Sequence, residues 1–190
     1  MVVGVPIEIK ENENRVSMTP YAVRTLVDDG HEVLVQDNAG LKSGFSNDEY
    51  IANGARVVGT LDEIYNESEM VVKVKEPQEA ELSKIKPSQI IFTYFHFAAS
   101  QSLTENIISS DCIAFAYETV QTENKNLPLL VPMSEIAGRL SVHNGAKCLE
   151  ANQGGRGVLL SGSTGIEPAM VTIIGGGIVG SNACKLAAGL

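Results

Sequence analysis

Short apolar runs alternate with segments of helical spacing along the first 120 residues of the chain. Five runs predict strands, at residues 2–7, 32–36, 70–75, 89–96 and 112–118. Helices are predicted between them, for example at 101–109 and at 19–29, where Pro20 takes the first helical position and Gly30 ends the helix. Strands separated by helices are typical of a parallel sheet. The pattern therefore predicts an α/β fold built on an open parallel sheet.

The pattern changes after the polar segment 123–126. Pro128 and Pro132 bracket a short apolar run, and a long helix is predicted from Ser134 to about residue 152. The following segment, 154–165, is rich in Gly and Ser, as is typical of a flexible loop or hinge. These features predict a second structural region.

A glycine-rich turn lies near the end of the chain. A buried strand is predicted at 171–174 and a helix at 181–188, and Gly175, Gly177 and Gly180 between them match the pattern G-x-G-x-x-G. In a dinucleotide site these glycines allow a tight turn, close approach of a pyrophosphate and close helix–strand packing, and the helix N-terminus attracts phosphate. The alternative is a glycine turn that serves packing alone. The arrangement indicates the start of a Rossmann-like dinucleotide domain.

We place the domain boundary between residues 128 and 129. Residues 1–128 form a Rossmann-like domain, and residues 129–190 hold a linker helix and the first βα unit of a second, incomplete Rossmann domain. The acidic residue that binds the ribose is expected about 20 residues after the glycine turn, beyond Leu190. The choice between NAD and NADP therefore stays open from these residues.

Composition and charge favour a small-molecule function. The formal net charge is -9, so neither nucleic acid nor an anionic membrane surface is an expected partner. The N-terminal segment 1–11 lacks a basic region, and no apolar run approaches the ~20 residues of a membrane span. Cys112, Cys148 and Cys184 are widely separated and have no zinc spacing. We expect reduced thiols, no metal and a cytoplasmic protein.

Three cationic or ionisable residues lie near the predicted ends of strands. Lys75 and His96 end their strands, and Arg15 lies in the loop after the first strand. In a parallel sheet these ends share one edge, where ligands bind. Arg offers a bidentate fork to a carboxylate, Lys a point charge, and His a proton donor or acceptor near neutral pH. The three predict an anionic substrate.

Each of these residues also has a simpler interpretation. Arg15 lies among carboxylates, as a surface arginine would, and Lys75 would then be a solvated strand end. Alternation along the strand gives Lys73 the same face as Lys75, and His96 could be structural. Residue types and spacing alone leave these alternatives open.

Six ordered segments resemble motifs of the alanine dehydrogenases, and the likeness extends along the whole chain. The segments are KENENRV at 10–16, VKVKEP at 72–77, FTYFHFA at 92–98, AYETV at 116–120, LPLLVPMSE at 127–135 and IIGGGIVG at 173–180. The related transhydrogenase α subunit shares the architecture. It is not expected to carry the segments around Tyr94–His96 and Tyr117–Thr119 in this form, so it is the second hypothesis.

The resemblance implies the reversible oxidative deamination of L-alanine to pyruvate and ammonia with NAD. Arg15 would hold the substrate carboxylate, Lys75 would pair with the carboxylate or the keto oxygen, and His96 would be the acid/base for water addition to the imine. The remaining residues implied by the resemblance bind NAD: Met133 and Ser134 at the nicotinamide end, and Gly175, Gly177, Val179 and Gly180 at the pyrophosphate.

Family members are roughly twice as long as this chain and are implied to form homo-hexamers. One βα unit cannot form a dinucleotide domain, and a strand at 171–174 would expose two unpaired edges. We therefore expect the 190-residue chain alone neither to bind NAD tightly nor to turn over alanine. A further hypothesis is a non-catalytic truncated module for binding or assembly.

Overall fold

The computed structural model describes all residues from Met1 to Leu190, and these divide into two compact units, Met1–Val120 and Gln121–Leu190. The first unit contains the sheet, and the second contains two helices joined by long loops. The boundary predicted at 128/129 falls inside the second unit.

The first unit is built on six parallel strands. They are β1 (Val2–Val5), β2 (Glu32–Gln36), β3 (Arg56–Val58), β4 (Met70–Lys75), β5 (Ile90–Tyr94) and β6 (Ile113–Ala116). Their order in the sheet is β3-β2-β1-β4-β5-β6, so the direction of winding reverses between β1 and β4. The predicted α/β fold with an open parallel sheet is confirmed. Such a reversal opens a crevice at the carboxyl ends of the two strands, where ligands bind in this architecture.

Helices alternate with the strands of the first unit. They are α1 (Pro20–Asp28), α2 (Asn47–Ala52), α3 (Leu61–Glu67), α4 (Glu79–Leu82) and α5 (Gln101–Ser109). The Thr19 side chain accepts a hydrogen bond from the Ala22 N–H at the start of α1, and Gly30 follows its end with a φ of 84°. The predicted roles of Pro20 and Gly30 are thus confirmed, because a proline at the first position loses no intrahelical bond.

The core occupies both faces of the sheet. Val33 and Val35 belong to one buried cluster, whereas Leu34 between them belongs to another. Successive side chains of a strand point to opposite faces, so a strand covered on both faces is apolar at consecutive positions. This explains why the strands of the first unit appear in the sequence as continuous apolar runs.

Three strands end earlier than predicted. β1 stops at Val5 because Pro6 has no N–H for a further ladder bond. β5 covers Ile90–Tyr94 rather than 89–96. β6 covers Ile113–Ala116 rather than 112–118, and a 3-10 turn over Tyr117–Thr119 follows it directly. His96 consequently lies two residues beyond the strand that it was predicted to end.

The second unit contains α6 (Val131–Leu149) and α7 (Ile178–Ala187). The helix predicted at 134–152 begins three residues earlier, because Pro132 fits its first turn, where a backbone N–H has no intrahelical partner. The helix predicted at 181–188 also begins earlier, directly after Gly177.

The strand predicted at 171–174 is wrong for this chain. No strand is formed there, and the side chains of Val171 and Ile174 are 42% and 97% exposed. An isolated strand leaves its backbone N–H and C=O groups unpaired, and no strand lies beside this segment. The apolar segment 171–174 is therefore a loop in this chain.

Two further observations concern the chain as a whole. No helix combines the length and the apolar character needed to cross a membrane. Cys112, Cys148 and Cys184 are all free cysteines.

Candidate functional site

The site lies at the carboxyl edge of the sheet, where its winding reverses. The loop at 6–19 leaves the end of β1 and carries Arg15, and Lys75 is the last residue of β4. The register of the β4–β5 pair places Lys75 opposite Tyr94, the last residue of β5. This topology brings the loop after β1 and the ends of β4 and β5 to one edge of the sheet.

Glu13 orients the Arg15 guanidinium. The Glu13 carboxylate accepts hydrogen bonds from Arg15 Nε at 2.8 Å and Nη2 at 2.7 Å, and also from the Arg15 backbone N–H at 2.9 Å. These bonds hold the pKa of Glu13 at about 2, against burial, and the nearby charge of Lys75 also lowers it. The Glu13 carboxylate therefore interacts electrostatically with both predicted substrate-binding cations, Arg15 and Lys75. The Arg15 side chain is 49% exposed, so a dissolved anion can reach it.

Tyr94 connects Arg15 with His96. Burial raises the pKa of Tyr94, and the positive charge of Arg15 opposes that rise. The Tyr94 and His96 rings stack at a centroid distance of 6.1 Å with an interplanar angle of 15°. Arg15, Tyr94 and His96 therefore lie along one edge.

Glu118 fixes the backbone of His96. His96 has a φ of 52°, an uncommon left-handed conformation for a residue other than glycine. Its backbone N–H donates to Glu118 Oε1 at 2.7 Å, while Glu118 Oε2 is buried and has no hydrogen-bond partner. The imidazole itself is exposed. Neither residue type nor spacing predicted a role for Glu118. Only its position in the motif AYETV could have indicated one.

Aromatic rings form an apolar wall beside the site. Tyr117 makes edge contacts with Phe92 at 4.3 Å and with Tyr94 at 4.8 Å between ring centroids. Burial raises the pKa of Tyr117 well above its usual value, so this side chain remains a neutral phenol.

A buried ionic cluster, formed by Glu8, Lys73, Glu81 and Tyr65, lies beneath the site. Lys73 Nζ is 2.8 Å from Glu81 Oε1 and 3.3 Å from Glu8 Oε2, and all three side chains are at most 2% exposed. The Tyr65 hydroxyl donates to Glu81 at 3.2 Å. Burial raises the pKa of Glu8, while the Lys73 charge and the Val74 N–H oppose the rise. The sequence placed Lys73 beside Lys75, but only the structure distinguishes the buried lysine from the half-buried one.

In the glycine turn of the second unit, the backbone at Gly175 lies very close to Gly180. Gly175 has a φ of 96°, and a Cβ atom on Gly180 would lie 1.9 Å from the carbonyl oxygen of Gly175. Gly177 precedes the first turn of α7 and so places backbone N–H groups at the turn. A side chain at position 180 would therefore collide with the turn, so this approach requires glycine.

One cavity of the second unit contains most of the predicted cofactor residues. Its volume is about 750 Å³, and its lining includes Ser134, Gly175, Gly177, Val179 and Gly180. Met133 is half-buried in the first turn of α6 and does not line this cavity. The structure thus brings Ser134 to the glycine turn.

Two family profiles match the chain. The profile described as alanine dehydrogenase/PNT, N-terminal domain, matches residues 4–137, and that of the C-terminal domain matches residues 141–190. An alanine dehydrogenase of Methanococcus maripaludis is 50% identical over all 190 residues, and one of Bacillus subtilis is 48% identical. The chain spans about half the length of these relatives, 51% and 50% respectively.

Solved structures agree with these matches. An L-alanine dehydrogenase structure with 51% identity superposes with a TM-score of 0.92, covering 100% of this chain and 52% of that one. A transhydrogenase from Sinorhizobium meliloti has a TM-score of 0.81 at 22% identity, covering 99% of this chain and 56% of that one. The second likeness establishes a common fold alone.

Proposed function

Since the chain belongs to the alanine dehydrogenase/PNT family, we propose that it forms the substrate-binding part of an NAD-dependent alanine dehydrogenase. The reaction is the reversible conversion of L-alanine to pyruvate and ammonia. One observation carries the proposal: Arg15, Lys75 and Tyr94 lie at the carboxyl edge of the sheet where its winding reverses, and His96 stacks on Tyr94.

Arg15 binds the substrate carboxylate in this proposal. A planar guanidinium matches a carboxylate in a bidentate geometry, and the Glu13 contacts orient it before the substrate arrives. The hydrogen bonds that Arg15 donates to Glu13 also raise the pKa of Arg15, so the guanidinium keeps its charge at any pH of interest. Binding in one orientation lowers the barrier for the following steps.

Lys75 supplies a second positive charge at the end of β4. It pairs with the carboxylate or the keto oxygen of the substrate and stabilises negative charge as it develops on oxygen. Its position opposite Tyr94 places this charge at the edge that His96 shares.

His96 moves the proton when water adds to the imine of the substrate. Its imidazole is exposed and aligned by stacking on Tyr94, and its backbone is fixed by Glu118. Histidine is the side chain most often used as a general acid/base.

NAD, when bound, accepts the hydride from the alanine Cα. Gly175, Gly177, Val179 and Gly180 would hold its pyrophosphate, and Ser134 with Met133 would contact its nicotinamide end. The close approach at Gly180 and the shared cavity with Ser134 support this assignment. The family resemblance further suggests a homo-hexamer, and the free cysteines are compatible with the cytoplasm.

Pyruvate binding tests the substrate pocket directly. We expect isothermal titration calorimetry of the 190-residue chain to show pyruvate binding that Arg15→Met weakens by about tenfold or more, because a charge-assisted hydrogen bond is lost. Arg24→Met is the matched control, since Arg24 is 55% exposed and pairs only with Asp28 within α1.

Equal weakening by both variants, or no pyruvate binding by the unaltered chain, would contradict the proposal. A transhydrogenase component would not bind pyruvate, because pyruvate is not its substrate. A non-catalytic assembly module would not bind pyruvate either.

A further inference from the structure

We propose that Glu8 is a positioning residue that fixes the loop carrying Arg15 on the strand carrying Lys75. The two cations then keep one spacing, as a substrate carboxylate requires. The functional part of this inference rests on the substrate pocket proposed above.

The backbone of β4 needs partners beyond the end of β1. β1 pairs with β4 at Val3↔Met70 and Gly4↔Val71, and it stops at Val5. On the side that β1 leaves, the last residues of β4 have no neighbouring strand. Backbone groups left unpaired in a buried position are costly, so other groups must bind them.

Side chains of the Arg15 loop take the place of the missing strand. Glu8 Oε1 accepts a hydrogen bond from the Val74 N–H at 2.6 Å, and the Ser17 hydroxyl donates to the Val72 carbonyl oxygen at 2.7 Å. Val72 and Val74 are two positions apart, so their backbone groups point to the same side of β4. Glu8 precedes Arg15 in the loop and Ser17 follows it, so the loop is attached to β4 on both flanks.

Charge strengthens the attachment at Glu8. Its carboxylate is 2% exposed and lies 3.3 Å from the Lys73 ammonium, the residue before Val74. Lys10 forms a further ion pair with Glu76, the residue after Lys75. A buried carboxylate is tolerated only with such partners.

The attachment reaches Arg15 through the loop itself. The Glu13 N–H donates to the Lys10 carbonyl at 3.1 Å, and the Glu13 carboxylate binds Arg15. Because the loop is anchored at Glu8 and Lys10, the Glu13 carboxylate is held in position. Glu13 in turn holds the Arg15 guanidinium. Loss of the Glu8 anchor should release this local structure without opening the sheet.

Amide hydrogen exchange of the complete 190-residue chain tests the anchor. We expect Glu8→Ala to accelerate exchange of the hydrogen-bonded amides of Glu13, Arg15 and Val74 by about tenfold or more, with β2 amides unchanged. Glu8→Gln should show a smaller acceleration, because its amide oxygen can still accept from Val74 while the charge that pairs with Lys73 is lost. Ser17→Ala should also show a smaller acceleration than Glu8→Ala. Glu11→Gln is the matched control, since Glu11 is an exposed carboxylate of the same loop.

Unchanged exchange in Glu8→Ala, or an equal acceleration throughout the first unit, would overturn the proposal. If Glu8→Ala does not fold, the milder Glu8→Gln decides by the same local comparison.

Pyruvate affinity of the same variants gives the functional outcome. Glu8→Ala should weaken pyruvate binding by about fivefold or more, with Glu8→Gln affected less and Glu11→Gln near the unaltered value. A loosened loop with full affinity would overturn the positioning role. No binding by the unaltered chain would instead reject the proposed function, and exchange would still decide whether Glu8 anchors the loop.

Discussion

Carboxylates orient the candidate residues of the site. Glu13 binds the Arg15 guanidinium, Glu118 binds the backbone N–H of His96, and Glu8 binds the N–H of Val74 beside Lys75. Each acidic side chain accepts from a group that it aligns, and charge-assisted bonds of this kind are stronger than neutral ones. These acidic residues therefore determine the arrangement of the candidate site as much as the basic residues do.

The pKa of Glu13 makes a pH-dependent contribution to stability. The carboxyl has a pKa of about 2 in the folded chain against 4.5 as an ordinary glutamate, so it stabilises the fold above pH 4.5 and loses this effect as the pH falls to about 2. We expect Glu13→Gln to lower the unfolding free energy at pH 7, and the deficit to shrink between pH 4.5 and pH 3 in urea titrations.

Glu11→Gln serves as the control for this experiment, because it removes an exposed carboxylate from the same loop. A Glu13→Gln deficit that stays constant with pH would contradict the assignment.

Glu118 should matter for His96 rather than for folding. Removing its carboxylate in Glu118→Ala leaves the left-handed backbone of His96 without its 2.7 Å hydrogen bond, and such a conformation costs about 1 kcal/mol or more. We expect the His96 ring resonances in NMR spectra to broaden or shift, with the melting temperature lowered by only a few degrees. Unchanged His96 resonances would contradict the role, and Glu123→Ala, at an exposed position outside the site, is the control.

Among the elements, the contact between α6 and α7 depends on one small residue. A Cβ atom on Gly138 would lie 2.2 Å from the carbonyl oxygen of Val179, so the first turn of α7 approaches the backbone of α6 directly. Gly138 is buried, whereas Gly145 on the same helix faces open space. Close helix contact at a glycine is thus what brings the glycine turn beside α6.

The two glycines allow a matched comparison. Gly138→Ala should destabilise the second unit by about 1–3 kcal/mol through overpacking. Gly145→Ala should be neutral or stabilising by up to about 1 kcal/mol, because alanine is the better helix former. Amide exchange of α7 measures both effects, and equal effects of the two substitutions would contradict the packing argument.

For the whole molecule, the reversal of winding between β1 and β4 decides where the site lies. It places the loop after β1 beside the end of β4, although these segments are about 60 residues apart in sequence. The second unit has no sheet, and its glycine turn follows an exposed segment at 171–174. The sheet edge of the first unit is formed, whereas the predicted cofactor residues lack the sheet on which such sites are built.

We therefore expect the 190-residue chain to bind pyruvate without producing NADH from alanine and NAD. Absorbance measurements of NADH formation, with pyruvate titration as the control for a folded pocket, test this expectation. Steady NADH production by the purified chain would refute it.

The sequence by itself determined the parallel α/β fold, most strand and helix positions and the motifs around Arg15, Lys75 and His96. Hydrophobic spacing and glycine or proline positions are local properties, and they need no knowledge of distant neighbours. It also located the glycine turn, because G-x-G-x-x-G is a short-range pattern.

Only the tertiary structure decided the strand order, the ends of the strands and which polar groups meet. The buried pairing of Lys73 with Glu8 and Glu81, and the bond from His96 to Glu118, join residues far apart in sequence. The strand predicted at 171–174 failed for the same reason, since its apolar residues predict burial but a strand forms only beside another strand. Pairing is a property of neighbours in space, and no local pattern contains it.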